Sequence, residues 1–254
     1  MNSKTGTAAT NNLLDTAFLS LGTMLEEMGQ IDFADKVYSF ASSINEKCTP
    51  AIANKLMILL FQGPDDKALL EMHKACAKAP KDQYVLRTRG FLHLIRGEFD
   101  KAYKDYRKAL DENSQWDATT VLMAYPMLLK QDPAEAATML TDAVENNKVV
   151  NKNWPYPVVQ CLRGDISMTD LLPQASTHAK LLEARAHYGW IKANSDDSQA
   201  GKADCLYVFN EKSGTAHVRL MASRGLKVIQ HGYADRMESA REKADRIQDM
   251  DFLG

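Results

Sequence analysis

The feature that most constrains this chain of 254 residues is a repeat of small side chains with a period of 34. Two columns of the repeat contain alanine at all four positions. The first column is Ala34, Ala68, Ala102 and Ala136, and the second is Ala41, Ala75, Ala109 and Ala143. Self-similarity at a fixed period of about 20–50 residues is typical of proteins built from stacked units. Four units in phase therefore predict an array of similar structures over residues 15–150.

Small residues also occupy a third column, which contains Gly22, Leu56, Gly90 and Ala124. Two helices can approach closely only where one presents glycine or alanine. We therefore expect Gly22, on the first helix of its unit, to face Ala34 on the second. Gly90 is expected to face Ala102 in the same way. A column of mostly bulky residues, Tyr38, Met72, Tyr106 and Leu140, would fill the space between units.

A glycine also recurs where the first helix of each unit should end. This column contains Gly29, Gly63, Gly97 and Gln131. Glycine adopts the left-handed conformation that commonly terminates a helix, because it has no Cβ to clash. The column predicts that each unit is a helix, a short turn and a second helix.

The pattern resembles the tetratricopeptide repeat (TPR) family, whose 34-residue unit is a pair of antiparallel helices. The resemblance implies an all-α fold, a right-handed TPR superhelix (α-solenoid) of antiparallel helix pairs. It covers about half of the chain, with units at residues 15–48, 49–82, 83–116 and 117–150.

The phase of the repeat is lost after residue 150. We expect a flexible N-terminus at 1–14, a proline-containing helical spacer at 151–176, a degenerate fifth repeat with a following helix at 177–232, and a C-terminal capping helix at 233–254. That last helix has a narrow apolar stripe of Met237, Ala240, Ala244 and Ile247. Residues 205–211 and 217–223 can also be read as strands, but their helical surroundings favour helix. We expect this part of the chain to extend the superhelix.

Composition excludes several classes of function. The formal net charge is -2, so no excess of lysine and arginine exists to bind nucleic acid. No run of about 18 apolar residues appears, so we expect no membrane insertion. The four cysteines are widely spaced, without a CxxC pair. This spacing is typical of reduced thiols and predicts a cytoplasmic protein.

No motif of catalysis, metal binding or cofactor binding is evident. None of the six histidines stands at the HExxH spacing that places two zinc ligands on one helix face. Phosphate-binding and dinucleotide-binding glycine motifs are also absent from the sequence. We therefore expect no catalytic residue, no metal and no cofactor. An enzyme with an active site in residues 151–254 stays open as an alternative.

The resemblance implies that the first helix of each unit lines a concave groove. The candidate ligand-binding residues in that groove are Leu19, Thr23, Met57, Leu60, Phe61, Tyr84, Arg87, Phe91, Leu94, Ile95, Tyr125 and Leu128. Arg87 is the only cation among them, whereas binding of a terminal carboxylate needs several charged donors. An apolar groove favours an apolar helix or extended segment instead.

The sequence thus predicts a protein-interaction scaffold or adaptor that binds an apolar peptide or helix of a partner protein. Three alternatives stay open: a cytoplasmic chaperone for a secreted protein, a self-assembling structural solenoid, and the enzyme mentioned above. The groove could also be filled by the chain itself, through residues 1–14 or the C-terminal helix, or by a second copy in a homo-oligomer.

Overall fold

The computed structural model describes residues 3–63, 65–193, 199, 201–211 and 213–230, with side chains from residue 13 onward apart from residue 65. Within these residues the secondary structure is helical and contains no strand, which confirms the predicted fold class. The helices are α1 (Ser3–Glu27), α2 (Ile31–Ile44), α3 (Thr49–Gln62), α4 (Asp65–Lys78), α5 (Gln83–Ile95), α6 (Phe99–Asp111), α7 (Ala118–Gln131), α8 (Pro133–Val144), α9 (Tyr156–Arg163), α10 (Met168–Leu171), a 3₁₀ turn (Leu172–Gln174), α11 (His178–Ala193), α12 (Lys202–Asn210) and α13 (216–230).

The second helices of the four units repeat at the interval that the alanine columns predicted. They begin at Ile31, Asp65, Phe99 and Pro133, which are 34 residues apart each time. The eight alanines of the two columns are buried. Residues 3–14, which we expected to form a flexible N-terminus, are part of helix α1.

Two glycines on the first helices lie against tyrosine rings of the second helices. A Cβ atom built on Gly22 would lie 2.3 Å from Cε1 of Tyr38. On Gly90 it would lie 3.1 Å from the same atom of Tyr106. Both tyrosines are fully buried. The bulky column, which we expected to fill the space between units, thus also packs inside its own unit, where the missing Cβ leaves room for the ring. That the two glycines face Ala34 and Ala102 stays a prediction.

Two of the three glycines in the turns between paired helices have the left-handed conformation that we expected. Gly29 and Gly97 have φ angles of 76° and 75°, the left-handed region in which glycine is least strained. Gly63 also follows the end of its helix, but its φ of -116° is ordinary for any residue. Of these three glycines, Gly29 and Gly97 are therefore the ones whose backbone conformation requires glycine.

Aspartates begin several of the later helices and also join neighbouring units. Asp82 accepts hydrogen bonds from the backbone N–H groups of Tyr84 and Val85 at the start of α5. It also accepts one from the hydroxyl of Thr49, 2.7 Å away at the start of α3. Asp132 caps α8 in the same way through two backbone N–H groups. The helix starts are thus fixed locally, and the first of these caps also aligns two units.

Helices α11 and α12 form a further close pair, and their contact depends on glycine. A Cβ atom on Gly189 would lie 2.9 Å from Sγ of Cys205. One on Gly201 would lie 2.4 Å from the carbonyl oxygen of Gly189. Residues 205–210 and 217–223 are helical, which confirms helix over strand for them. The predicted capping helix at 233–254 lies outside the described residues.

Helices α11 and α13 lie against the first helices of the early units. The ring centroid of Trp190 on α11 is 6.3 Å from that of Phe91 on α5. The guanidinium of Arg219 on α13 lies 4.5 Å from the centre of the Phe61 ring on α3. At the start of α13, the backbone N–H of Ala216 donates to Glu26 on α1 at 2.6 Å. The later part of the chain therefore folds back onto the inner face of the four units.

Candidate functional site

The twelve residues predicted to bind a ligand all lie on the first helices α1, α3, α5 and α7. Five of them are buried: Met57, Leu60, Phe91, Leu94 and Leu128. The other seven, which are Leu19, Thr23, Phe61, Tyr84, Arg87, Ile95 and Tyr125, are half-buried. Phe61 and Phe91 contact residues of α13 and α11, as described above. That these residues bind a partner stays a prediction.

Glu26 fixes the start of α13 to the first unit. Its Oε1 accepts a hydrogen bond of 2.8 Å from the hydroxyl of Tyr38, while Oε2 accepts the bond from Ala216. The Tyr38 hydroxyl in turn lies 3.3 Å from that of Thr23. Burial raises the pKa of Glu26, although both hydrogen bonds oppose that effect. The carboxyl group thus serves as an anchor between the first unit and α13.

A group of three polar side chains, which we call the buried cluster, lies between α11 and α13. It consists of Glu183 and His187 on α11 and His217 on α13. One potential ligand atom of each residue lies within 4.8 Å of those of the other two. Trp154 donates a hydrogen bond of 2.6 Å from Nε1 to Oε2 of Glu183. The other oxygen of Glu183 lies 3.9 Å from Nε2 of His217.

Burial controls ionisation in this cluster. It raises the pKa of Glu183 to about 7, and the charges of Asp117 and Glu27 act in the same direction. It lowers the pKa of His187 and of His217 to about 3 in each case. Both imidazoles are therefore neutral at neutral pH, because water is too scarce around them to stabilise the charged form.

Arg87 of α5 is the nearest cation whose charge acts on the cluster. It lowers the pKa of both histidines. Its guanidinium forms an ion pair with Asp117 and lies 3.5 Å from the hydroxyl of Thr120. This ion pair joins the third and fourth units. That Arg87 also contacts a ligand stays a prediction.

The first unit has an apolar surface that faces solvent, which we call the outer face. Its side chains are Leu14, Leu21 and Met24 on α1, Met28 directly after α1, and Phe33, Phe40 and Ile44 on α2. All seven are at least 39% exposed, and Met28 and Phe33 reach 65% and 59%. Their spacing along each helix is three, four or seven residues, so they form two parallel stripes.

A cleft of about 880 Å³ opens between α2, α3 and α4. Its lysines are mixed with carboxylates, as in the pair of Lys74 with Glu71 at 2.7 Å. The buried residues that line it are Leu56, Ala75 and Val85, all apolar. Exposed ion pairs over an apolar floor are ordinary surface features, so this cleft offers no built site.

No protein-family model matches the chain, and no curated protein sequence matches it. The crystal structure of a tetratricopeptide repeat protein from Parabacteroides merdae ATCC 43184 is similar with a TM-score of 0.39 and 19% identity, covering 87% of this chain and 88% of that one. A chain in the structure of Naa15/Naa10 bound to HypK-THB gives a TM-score of 0.45 and 15% identity, covering 91% of this chain and 35% of that one. This chain thus spans about a third of the second protein. Similarity at this level identifies neither a partner nor a function.

The interval between helix pairs decides the architecture. Four second helices begin 34 residues apart, and each packs through buried alanines against the helix that precedes it. The four units form an α-solenoid of helix pairs at the 34-residue interval that the sequence predicted. Within the described residues, no helix of this solenoid is long and apolar enough to cross a membrane.

Sequence reasoning missed two features of the solenoid, the buried cluster and the outer face. Glu183 and His187 stand four residues apart, which places them on one helix face, but His217 joins them only through the tertiary fold. The outer face was visible in the sequence as a break in the repeat pattern. Its second-helix positions are apolar in the first unit and charged or polar in later units.

Proposed function

We propose that the TPR solenoid is a protein-interaction scaffold that binds an apolar helix of a partner protein on the outer face of its first unit. The observation that carries this proposal is the pattern of the columns on α2. Three exposed apolar residues occupy positions that later units fill with polar side chains. The columns read Phe33, Lys67, Lys101 and Glu135; then Phe40, Lys74, Lys108 and Asp142; then Ile44, Lys78, Glu112 and Asn146.

The expected occupant is a helix, because the positions equivalent to those of α1 are covered by a neighbouring helix in later units. Met24 is 58% exposed. Its counterparts Ile58 and Leu92 are 1% and 0% exposed, within helices that follow an earlier unit. In the second unit, α3 packs against α2. A partner helix that covers Met24 would therefore take the place that α2 occupies beside α3.

The chemistry of the outer face also suits a protein partner. The first unit exposes apolar side chains on both of its helices, and on the second helix these positions are polar in later units. Two of its exposed residues are Met24 and Met28, whose flexible thioether chains adapt to different apolar surfaces. An exposed apolar patch is the kind of surface that marks an interaction site.

Binding of the partner helix in the concave groove has less support than binding on the outer face. The groove residues Phe61 and Phe91 contact Arg219 of α13 and Trp190 of α11, so a partner helix would first have to displace these segments. The proposal includes the cytoplasm as location, which four unpaired cysteines support. It also describes a protein without catalytic activity.

The test compares two substitutions on the outer face with a matched control. Phe33→Lys together with Ile44→Lys introduces the side chains that the second unit has at the same columns. Leu70→Lys, on α4, changes an apolar residue that is 56% exposed but lies outside the outer face. The tagged full chain and both variants are used for affinity purification from the native host, followed by mass spectrometry and by mass measurement over a concentration series.

We expect one partner in near-equal amount with the original chain and with Leu70→Lys, and its loss with the double variant. If the double variant instead abolishes concentration-dependent self-association, the second copy is the occupant and the chain is a self-assembling solenoid. If partner and mass are the same for all three proteins, the outer face is not the binding surface.

A further inference from the structure

We propose that Glu183, His187 and His217 bind one divalent transition-metal ion, with Zn²⁺ as the preferred ion. This site does not depend on the scaffold function, because its three side chains belong to α11 and α13 and none is part of the outer face. The three side chains offer one carboxylate oxygen and two imidazole nitrogens, all within 4.8 Å of one another. Zinc binds these atom types at about 2.0–2.2 Å, so a small closure of the three groups around an ion completes the geometry.

The position of the ligands follows from the helices. Glu183 and His187 are four residues apart on α11 and so project from the same face. His217 is the second residue of α13, which approaches that face from the other side. Two helices thus contribute the ligands, and an ion between them would fasten α13 to α11.

Two neighbouring hydrogen bonds orient the ligands in the manner of a metal site. Nδ1 of His217 lies 3.0 Å from the hydroxyl of Thr215, which leaves Nε2 directed at the cluster. Trp154 holds one oxygen of Glu183 and leaves the other facing His217. Ligating histidines typically engage their second ring nitrogen with a nearby acceptor, and ligating carboxylates are also hydrogen-bonded.

The independent observation that calls for a ligand is a set of unpaired nitrogens. His187 is 0% exposed, and neither of its ring nitrogens has a hydrogen-bond partner. Nε2 of His217 is likewise buried without a partner. Buried polar atoms in folded proteins are almost always paired, and unpaired ones indicate an ion or water bound there. Three nitrogens in one place therefore point to an ion that at least two of them coordinate.

The ligand set favours zinc over hard cations. Imidazole nitrogen suits zinc and other transition metals, whereas magnesium and calcium prefer oxygen alone. Two histidines and one carboxylate leave a fourth position for water. The charge of Arg87 opposes a cation, but its ion pair with Asp117 offsets that charge.

The experiment measures metal in the full-length chain with three substitutions. His187→Leu removes the fully buried ligand, and His217→Gln removes a ligand at a less buried position, so the second variant stays informative if the first fails to fold. His178→Ala is the control, because His178 lies on the same helix α11 and is exposed. Each protein is stripped with chelator, checked for helix content by circular dichroism, and titrated with Zn²⁺ and, separately, with Co²⁺.

We expect one Zn²⁺ per original chain, a visible absorption of tetrahedral Co²⁺, and a higher melting temperature with metal than without. His178→Ala should retain all three, whereas His217→Gln and His187→Leu should lose at least tenfold in affinity together with the Co²⁺ absorption. Absence of stoichiometric metal in the folded original chain overturns the proposal and assigns the nitrogens to water. Unchanged binding in a folded His217→Gln variant overturns it as well.

Discussion

Glu26 shows how much of this molecule depends on single buried polar side chains. Its two oxygens accept hydrogen bonds from α2 and from the start of α13. Burial raises its pKa, so the folded state holds a proton on Glu26 at pH values where the unfolded chain has lost it. By linkage, this raised pKa lowers the free energy of unfolding as the pH rises above about 4.5.

We predict that Glu26→Gln becomes more stable relative to the original chain as the pH rises from 4.5. A glutamine can still accept from Ala216 and donate to Tyr38, but it has no charge to bury. Urea unfolding at several pH values measures the difference between the two proteins. Glu26→Ala, the control, leaves the Ala216 N–H unpaired and should be about 1–3 kcal/mol less stable than Glu26→Gln at every pH. A constant difference between Glu26→Gln and the original chain would contradict the raised pKa.

The two glycines that face tyrosines allow a second test at this scale. We predict that Gly22→Ala destabilises the fold by about 1–3 kcal/mol, because the new methyl group would overlap the buried Tyr38 ring. Gly90→Ala should cost less, since its methyl group would meet Tyr106 at 3.1 Å and not 2.3 Å. Thermal unfolding of both variants measures the order, and the reverse order would contradict the contacts described here.

At the scale of helices, Asp82 both caps a helix and aligns two units. It caps α5 of the third unit and also accepts a hydrogen bond from Thr49, which begins α3 of the second unit. Asp132 caps α8 with the same two backbone bonds. Each cap should contribute about 1 kcal/mol, but only the first also joins two units.

We therefore predict that Asp82→Ala lowers the free energy of unfolding by more than Asp132→Ala. The expected losses are about 2 kcal/mol for the first and about 1 kcal/mol for the second. Chemical denaturation of both variants, with helix content as the signal, checks the difference. Equal losses would mean that the bond to Thr49 contributes nothing.

The helix pairs could be predicted from the sequence because their packing is local. Ala34 and Ala41 lie within one unit of the residues they touch, so the spacing itself carries the information. The turns at Gly29 and Gly97 were predictable for the same reason. The contact of Gly22 with Tyr38 could not be predicted, because the periodic pattern shows which residues are small but not where a large ring points.

At the scale of the whole molecule, the fold departs from a simple array. In an ordinary solenoid each unit contacts only its neighbours, and stability is close to a sum of local terms. Here α11 and α13 contact α1, α3 and α5 across the groove. These contacts join segments about a hundred residues apart or more, and no periodic signal records them. The covering of the groove and the buried cluster therefore could not be predicted.

Removal of the later part of the chain should expose the groove. We predict that a protein ending at residue 176 binds more of an apolar dye than one ending at 232, because Phe61 and Phe91 lose their contacts with α13 and α11. Circular dichroism shows whether the shorter protein keeps its helices. Equal dye binding by two helical proteins would mean that α11 and α13 do not shield these residues.

The bond between Glu26 and Ala216 joins residues 190 positions apart. A ribosome adds about 5–20 residues per second, so the first unit emerges on the order of 10–40 s before the segment that covers it. During that interval the apolar floor of the groove is open to aggregation and to any chaperone that recognises apolar surface. The return of α13 to the first unit thus makes this chain depend on protection during its synthesis more than a solenoid that can fold one unit at a time.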